Sequence, residues 1–129
     1  MMKIYLAGGM KSGWQEKVKS VGPAEARYLD PCHHYLQDER QYTAWDLHAI
    51  RACDVLFAYF EAGNPSGYGL SLEAGYAHAL GKTIVLVDEK TAADPVTGRR
   101  LGMLRAVADV VFVDLDSGIE FLHSLKRAG

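Results

Sequence analysis

Apolar positions along the chain fall into two alternating rhythms. Short unbroken runs occur at Lys3 to Ala7, Arg27 to Leu29, Val55 to Phe60 (VLFAYF), Thr83 to Val87 (TIVLV) and Val110 to Val113. Runs of this length, rich in β-branched and aromatic residues, suit strands buried on both faces of a parallel sheet. Between them the spacing changes to three and four. Trp14, Val18 and Val21 share one helical face, as do Trp45, Leu47, Ala49, Ile50 and Cys53 within Tyr42 to Cys53. Leu72, Tyr76, Ala79 and Leu80 form a third stripe from Leu70 onward, Leu101, Leu104 and Ala108 a short fourth, and Ile119, Phe121, Leu122 and Leu125 a terminal one. Gly22-Pro23, Asp30-Pro31, Asn64-Pro65-Ser66-Gly67 and Gly81-Lys82 punctuate the segments, and Asp88 to Gly98 reads as a loop with turns at Asp94-Pro95 and Thr97-Gly98.

The resulting alternation βαβαβαβαβ predicts the α/β class: a doubly wound, five-stranded parallel sheet with helices on both faces, in one domain spanning 1–129. In the flavodoxin-like strand order 2-1-3-4-5, the first and third strands are neighbours, and ligands bind in the crevice at their carboxyl ends. That order brings Tyr5 and Gly8-Gly9 beside the stretch from Ser66 to Glu73. The length of 129 residues, with 49% hydrophobic and 23% charged positions, suffices for a single core.

Charge and cysteines narrow the function classes. A formal net charge of −2 with scattered basic residues gives no footprint for a nucleic acid polymer or an anionic membrane. Cys32 and Cys53 lack metal or redox spacing, and the opening apolar stretch is too short for a signal peptide or membrane span, so a cytoplasmic protein is expected. Neither a cofactor nor a metal is called for. The first glycine loop, with Gly8, Gly9 and Gly13, lacks the dinucleotide spacing and the Ser/Thr-rich cradle of a flavin phosphate site. His33 and His34 are adjacent, whereas metal-binding pairs on helices stand three or four apart; they read as exposed loop residues.

Glu73 is the residue around which a site is expected. It falls in the first turn or so of a helix that leaves the carboxyl end of a buried strand. Leu72 and Ala74 flank it, small residues precede it, and no Lys or Arg lies within four positions to pair with it. Asp46, between Trp45 and Leu47 near the predicted start of its helix, reads equally well as a dipole partner or as a functional acid. Asp54 reads as a turn-fixing acceptor, and Trp14 as either helix packing or a cover for the site.

Four stretches carry a resemblance: Ile4-Tyr5-Leu6 with Gly8-Gly9; Asp46-Leu47 with Ile50; Asp54-Val55; and Gly69 to Glu73 followed by Gly75, Ala77, Gly81 and Lys82. In this order they resemble the nucleoside 2-deoxyribosyltransferase family, including relatives that hydrolyse 2′-deoxynucleoside 5′-monophosphates. The resemblance implies a retaining glycosyl transfer, with Glu73 as nucleophile at C1′, Tyr5 orienting it, and Asp46 holding sugar hydroxyls and moving a proton to or from the base. It implies that Gly8, Gly9 and Met10 line the base side. Lys11, Ser66 and Ser71, with Ser12, are candidates for a phosphate, and Gly69 is a further substrate-binding candidate. The implied ligands are a nucleoside or nucleotide and a free nucleobase, and the implied assembly is a homodimer or larger oligomer, with Ala92 to Met103 a candidate for reaching a neighbour's site. Transfer, hydrolysis of a monophosphate, and a non-catalytic nucleotide-binding domain all remain open on the residues alone.

Overall fold

A computed structural model describes residues 1–128. Five strands, β1 (Lys3–Gly8), β2 (Arg27–Leu29), β3 (Val55–Phe60), β4 (Thr83–Asp88) and β5 (Val110–Phe112), pair in parallel in the order β2-β1-β3-β4-β5. This is the predicted order. The register sets Tyr5 opposite Leu56 on one side and Leu29 on the other.

Side chains alternate across the sheet into two cores, as the two-residue period of a strand requires. Tyr5, Ala7, Leu56, Ala58, Phe60, Ile84 and Leu86 face one way, under α2 (Glu39–Ala52) and α3 (Tyr68–Ala79). Ile4, Leu6, Val55, Phe57, Tyr59, Val85 and Val87 face the other way, under α1 (Trp14–Val21) and α7 (Leu115–Ala128). All six residues of β3 are buried, so it can serve only as a central strand.

Several helix boundaries differ from the predicted ones, each for a local reason. The helix expected from Tyr42 starts at Glu39, because the Asp38 carboxylate accepts the N–H groups of Arg40 and Gln41, both at 3.1 Å. Asp46 therefore lies in mid-helix, away from the macrodipole end at which a structural role was considered. Likewise α3 begins at Tyr68, which puts Glu73 in its second turn.

The face of α3 that packs is also not the expected one. Leu70, Ala74 and Ala77 are buried, whereas Leu72 and Leu80 are exposed. Small residues let this helix lie close on the sheet, and the larger apolar side chains turn outward.

Two short helices, α4 (Lys90–Ala93) and α5 (Pro95–Arg100), occupy the stretch expected to be a loop after β4, and the short helix expected through Leu101, Leu104 and Ala108 is α6 (Gly102–Val107). Asp94 caps α5, with Pro95 in its first turn, so the Asp-Pro pair starts a helix here. Arg105 ties the segment to its own chain, donating from Nη1 to Thr91 Oγ1 and to the Gly98 carbonyl, both at 2.8 Å. It also stands 3.4 Å from the buried Asp88 carboxylate. This segment is thus part of the protein's own scaffold.

Asp54 fixes its turn as expected, accepting the Lys3 N–H at 2.8 Å. Among the described residues no helix is long and apolar enough to cross a membrane.

Candidate active site

Tyr5 projects from β1 into the α2/α3 layer and donates its hydroxyl proton to Glu73 Oε2 at 2.5 Å. The contact joins residues 68 positions apart, and only the β1–β3 adjacency makes it possible. Burial pushes the Tyr5 phenol far up and the neighbouring Glu73 charge adds to this, so Tyr5 remains protonated and acts as a donor. The Glu73 carboxyl is pushed up to about 7, foremost by burial; the Tyr5 hydrogen bond opposes the shift and the nearby Asp46 charge adds to it. A carboxylate so placed is weakly solvated and held in one direction.

Asp46 reaches the same region from α2. Burial raises its pKa, while His34 and the Tyr5 hydroxyl both favour its charged form. Its Oδ1 is buried without a hydrogen-bond partner among the described residues. That is a poor resting state for a carboxylate and a good one for an acceptor awaiting a ligand hydroxyl or base.

His34 corrects the expectation of an exposed loop residue. Its side chain is only 6% exposed and packs edge-on against Trp45 at 4.9 Å, with Nε2 3.4 Å from Asp46 Oδ1. The Leu36 N–H donates to His34 Nδ1 at 2.9 Å, which leaves Nε2 to carry the ring proton in the neutral imidazole, facing Asp46. Tyr35, between them, takes a left-handed conformation (φ 56°) that lets the chain fold back into this turn. The only sequence signal for His34 was its position in the connection after β2, whose carboxyl end borders the crevice.

The remaining predicted residues separate into two groups. Ser66, Gly69 and Ser71 lie at the entry to α3; Ser66 N–H is engaged by Asn64 Oδ1 at 3.1 Å, and Ser71 Oγ is buried with no partner among the described residues. Gly9, Met10 and Lys11 line an open cavity of about 340 Å³ with Ser12 and the loop after β3.

Gly8 is required by packing at this position. With φ at 151°, a Cβ there would lie 2.5 Å from the Tyr59 carbonyl oxygen and 3.1 Å from the Trp14 ring. Trp14 itself is buried against Phe57 and Tyr59 and donates its indole N–H to the Gly9 carbonyl at 2.7 Å. It anchors the loop from beneath and does not cover the site.

One group of metal-type side chains, Glu16, Asp30 and His33, stands elsewhere, at the α1 to β2 edge. The Lys19 ammonium already sits among them, 2.8 Å from Asp30, 2.9 Å from Glu16 and 3.1 Å from His33. The cluster therefore holds a cation of the chain's own.

The sequence model of the family described as "Nucleoside 2-deoxyribosyltransferase like" matches residues 1–91, a stretch that contains Tyr5, His34, Asp46 and Glu73. The chain belongs to this family. No match was found among curated protein sequences.

Solved structures agree on the fold of this deoxyribosyltransferase-like chain. A conserved protein from Enterococcus faecalis aligns over 100% of this chain and 99% of its own, with 18% identity and a TM-score of 0.67. A CMP N-glycosidase, BcmB, from Clostridium botulinum aligns over 97% of this chain and 98% of its own, with 22% identity and a TM-score of 0.60. A 2-desoxiribosyltransferase from Leishmania mexicana aligns over 69% of this chain and 65% of its own, with 23% identity and a TM-score of 0.57.

Proposed function

We infer that this protein cleaves the N-glycosidic bond of 2′-deoxyribonucleosides with retention of configuration and transfers the sugar to another nucleobase. The observation that carries the reading is the half-buried Glu73 carboxylate held by the Tyr5 hydroxyl at 2.5 Å. In the first step a Glu73 oxygen forms a bond to C1′ as the C1′–N bond breaks, and the electron pair leaves with the base. The base takes up a proton, which Asp46 supplies. In the second step a nitrogen of the incoming base attacks C1′, Glu73 departs as carboxylate, and the proton lost by the base returns to Asp46.

The transition state resembles an oxocarbenium ion, so a fixed anion beside C1′ stabilises it more than it stabilises the substrate. Tyr5 keeps the attacking oxygen on one line. Positioned proton transfer to the leaving base contributes on the order of 10²- to 10⁴-fold. His34, whose Nδ1 accepts from the Leu36 N–H, turns Nε2 toward Asp46 Oδ1 at 3.4 Å and so borders that carboxylate.

A second reading places water as the acceptor and a 2′-deoxynucleoside 5′-monophosphate as the substrate. The partnerless, buried Ser71 Oγ near the start of α3 favours it, since a hydroxyl there suits a phosphate oxygen.

One experiment separates the readings: incubation with deoxycytidine, deoxyadenosine and their 5′-monophosphates, each with and without a second free base, followed by chromatography. A new nucleoside that appears only with the added base is the expected result. Free base and deoxyribose 5-phosphate without exchange establish the hydrolytic reading. No product from any substrate, with Glu73→Gln behaving as wild type, overturns both and leaves a nucleotide-binding domain.

A further inference from the structure

The cavity of about 340 Å³ at the carboxyl ends of β1 and β3 carries a polar pair that the chemistry at C1′ does not use. A Cβ placed on Gly9 would lie 3.3 Å from Glu61 Oε1 and 3.9 Å from Asn64 Nδ2, so both side chains converge above the same glycine. The Asn64 orientation is fixed by the chain. Its Oδ1 accepts the N–H groups of Ser66 and Gly67, both at 3.1 Å, which leaves the amide NH₂ as the end that faces Gly9. Among the described residues, neither the Glu61 carboxylate nor Asn64 Nδ2 makes a hydrogen bond or ion pair. An acceptor and a donor thus stand side by side in an open cavity with nothing in the protein to satisfy them.

Their position suits a nucleobase. A strand rises roughly 3.3 Å per residue, so Gly9 lies about 13 Å along the chain from Tyr5, a span that a sugar at Glu73 and its attached base would bridge. A phosphate fits the cavity poorly. Lys11 would attract it, but the Glu61 carboxylate beside Gly9 would repel it.

We propose that Glu61 and Asn64 read the polar edge of the departing base and select bases with an exocyclic amino group, cytosine or adenine, over uracil or hypoxanthine. This rests on the N-glycosidic reading above. In cytosine and adenine the amino group donates to Glu61 while the adjacent ring nitrogen accepts from Asn64. In the oxo bases held in the same pose, the carbonyl oxygen faces the Glu61 carboxylate and the ring N–H faces the Asn64 amide N–H, so both contacts are mismatched. A correctly matched two-point contact of this kind discriminates by roughly ten- to a hundredfold.

The test measures kcat/KM for deoxycytidine against deoxyuridine and for deoxyadenosine against deoxyinosine, as nucleosides and as 5′-monophosphates, in wild type and Glu61→Gln. The expected wild-type preference is at least about tenfold for the amino member of each pair, falling to within about threefold in Glu61→Gln, because glutamine can also donate to a carbonyl. A merely structural Glu61 would lower both members of a pair alike, so an unchanged preference ratio overturns the proposal, as does a wild type without preference. Calorimetric titration of Glu73→Gln with the same compounds keeps the two readings apart. A retained tenfold difference in Kd without wild-type turnover sustains base reading and overturns the catalytic reading. Equal or absent binding overturns base reading itself.

Discussion

At the scale of single residues, the protein sets one acid against another through a shared phenol. Tyr5 lowers Glu73 by donating to it, while burial and Asp46 raise it to about 7. Nucleophilic attack needs the ionised Glu73, so the acid limb of the kcat/KM profile has its midpoint near 7, and kcat/KM falls again at higher pH as Asp46 loses the proton it supplies to the base. Tyr5→Phe removes the donor that favours the charged carboxylate; the acid-limb midpoint moves to higher pH, and the maximum falls by about 10- to 100-fold as the carboxylate loses its fixed direction. A pH profile of kcat/KM for both proteins checks this, and a midpoint that stays in place or moves lower contradicts it. Glu73, Asp46 and Tyr5 were legible as candidates from sequence because each belongs to a motif with neighbours of definite type. His34 was not, because nothing in the string His33-His34 tells which ring turns inward. That depends on the Tyr35 turn and the backbone N–H of Leu36, which spacing does not encode.

Elements position these residues through close contacts at few points. The loop from β3 into α3 turns at Gly67, whose φ is 74°, and a Cβ there would lie 2.9 Å from the Phe60 ring and 3.0 Å from Leu101. The glycine is needed for both conformation and space, and it sets the entry angle of the helix that carries Glu73. Gly67→Ala is therefore expected to destabilise the protein by about 1–3 kcal/mol and to lower kcat/KM together with stability, since the strain displaces the start of α3. Thermal denaturation checks it, and an unchanged midpoint temperature contradicts it.

The five strands and their order were readable because runs such as VLFAYF and TIVLV leave no polar face to expose, although the edge strands β2 and β5 are partly exposed and not buried on both faces as their runs predicted. Helix ends were less so: Asp38 and Asp94 are caps, and a cap is recognised only once the chain before it is known to be extended. The stripe Leu72, Tyr76, Ala79 and Leu80 misled for a different reason. In a helix apolar on nearly every side, periodicity does not say which side packs, and here Leu70, Ala74 and Ala77 were small enough to fit closely on the sheet.

For the whole molecule, the exposed apolar side chains on and beside α3 are a feature its own fold does not use. Tyr68 is 78% and Leu72 60% exposed, on the helix that holds the nucleophile, and Leu80 continues the apolar surface toward the far end. Apart from Glu73, which points inward, His78 is the only ionisable side chain of α3 other than its tyrosines. A helix without a polar face is normally covered on both sides. In the α4–α6 segment, which the sequence offers as a reach toward a neighbour, Arg105 fixes the backbone while Val96 and Met103 stay exposed. We predict that the outer face of α3 packs on a second copy about a two-fold axis, with Leu72 in the contact. The predicted assembly is a homodimer. Leu72→Glu would place two like charges in that contact and shift the protein to monomer in light scattering at micromolar concentration. If dimerisation also shields the site from water, the variant would lose transfer to an added base more than it loses hydrolysis. A wild type that is monomeric at all concentrations, or a variant that dimerises as the wild type does, assigns the stripe no such role.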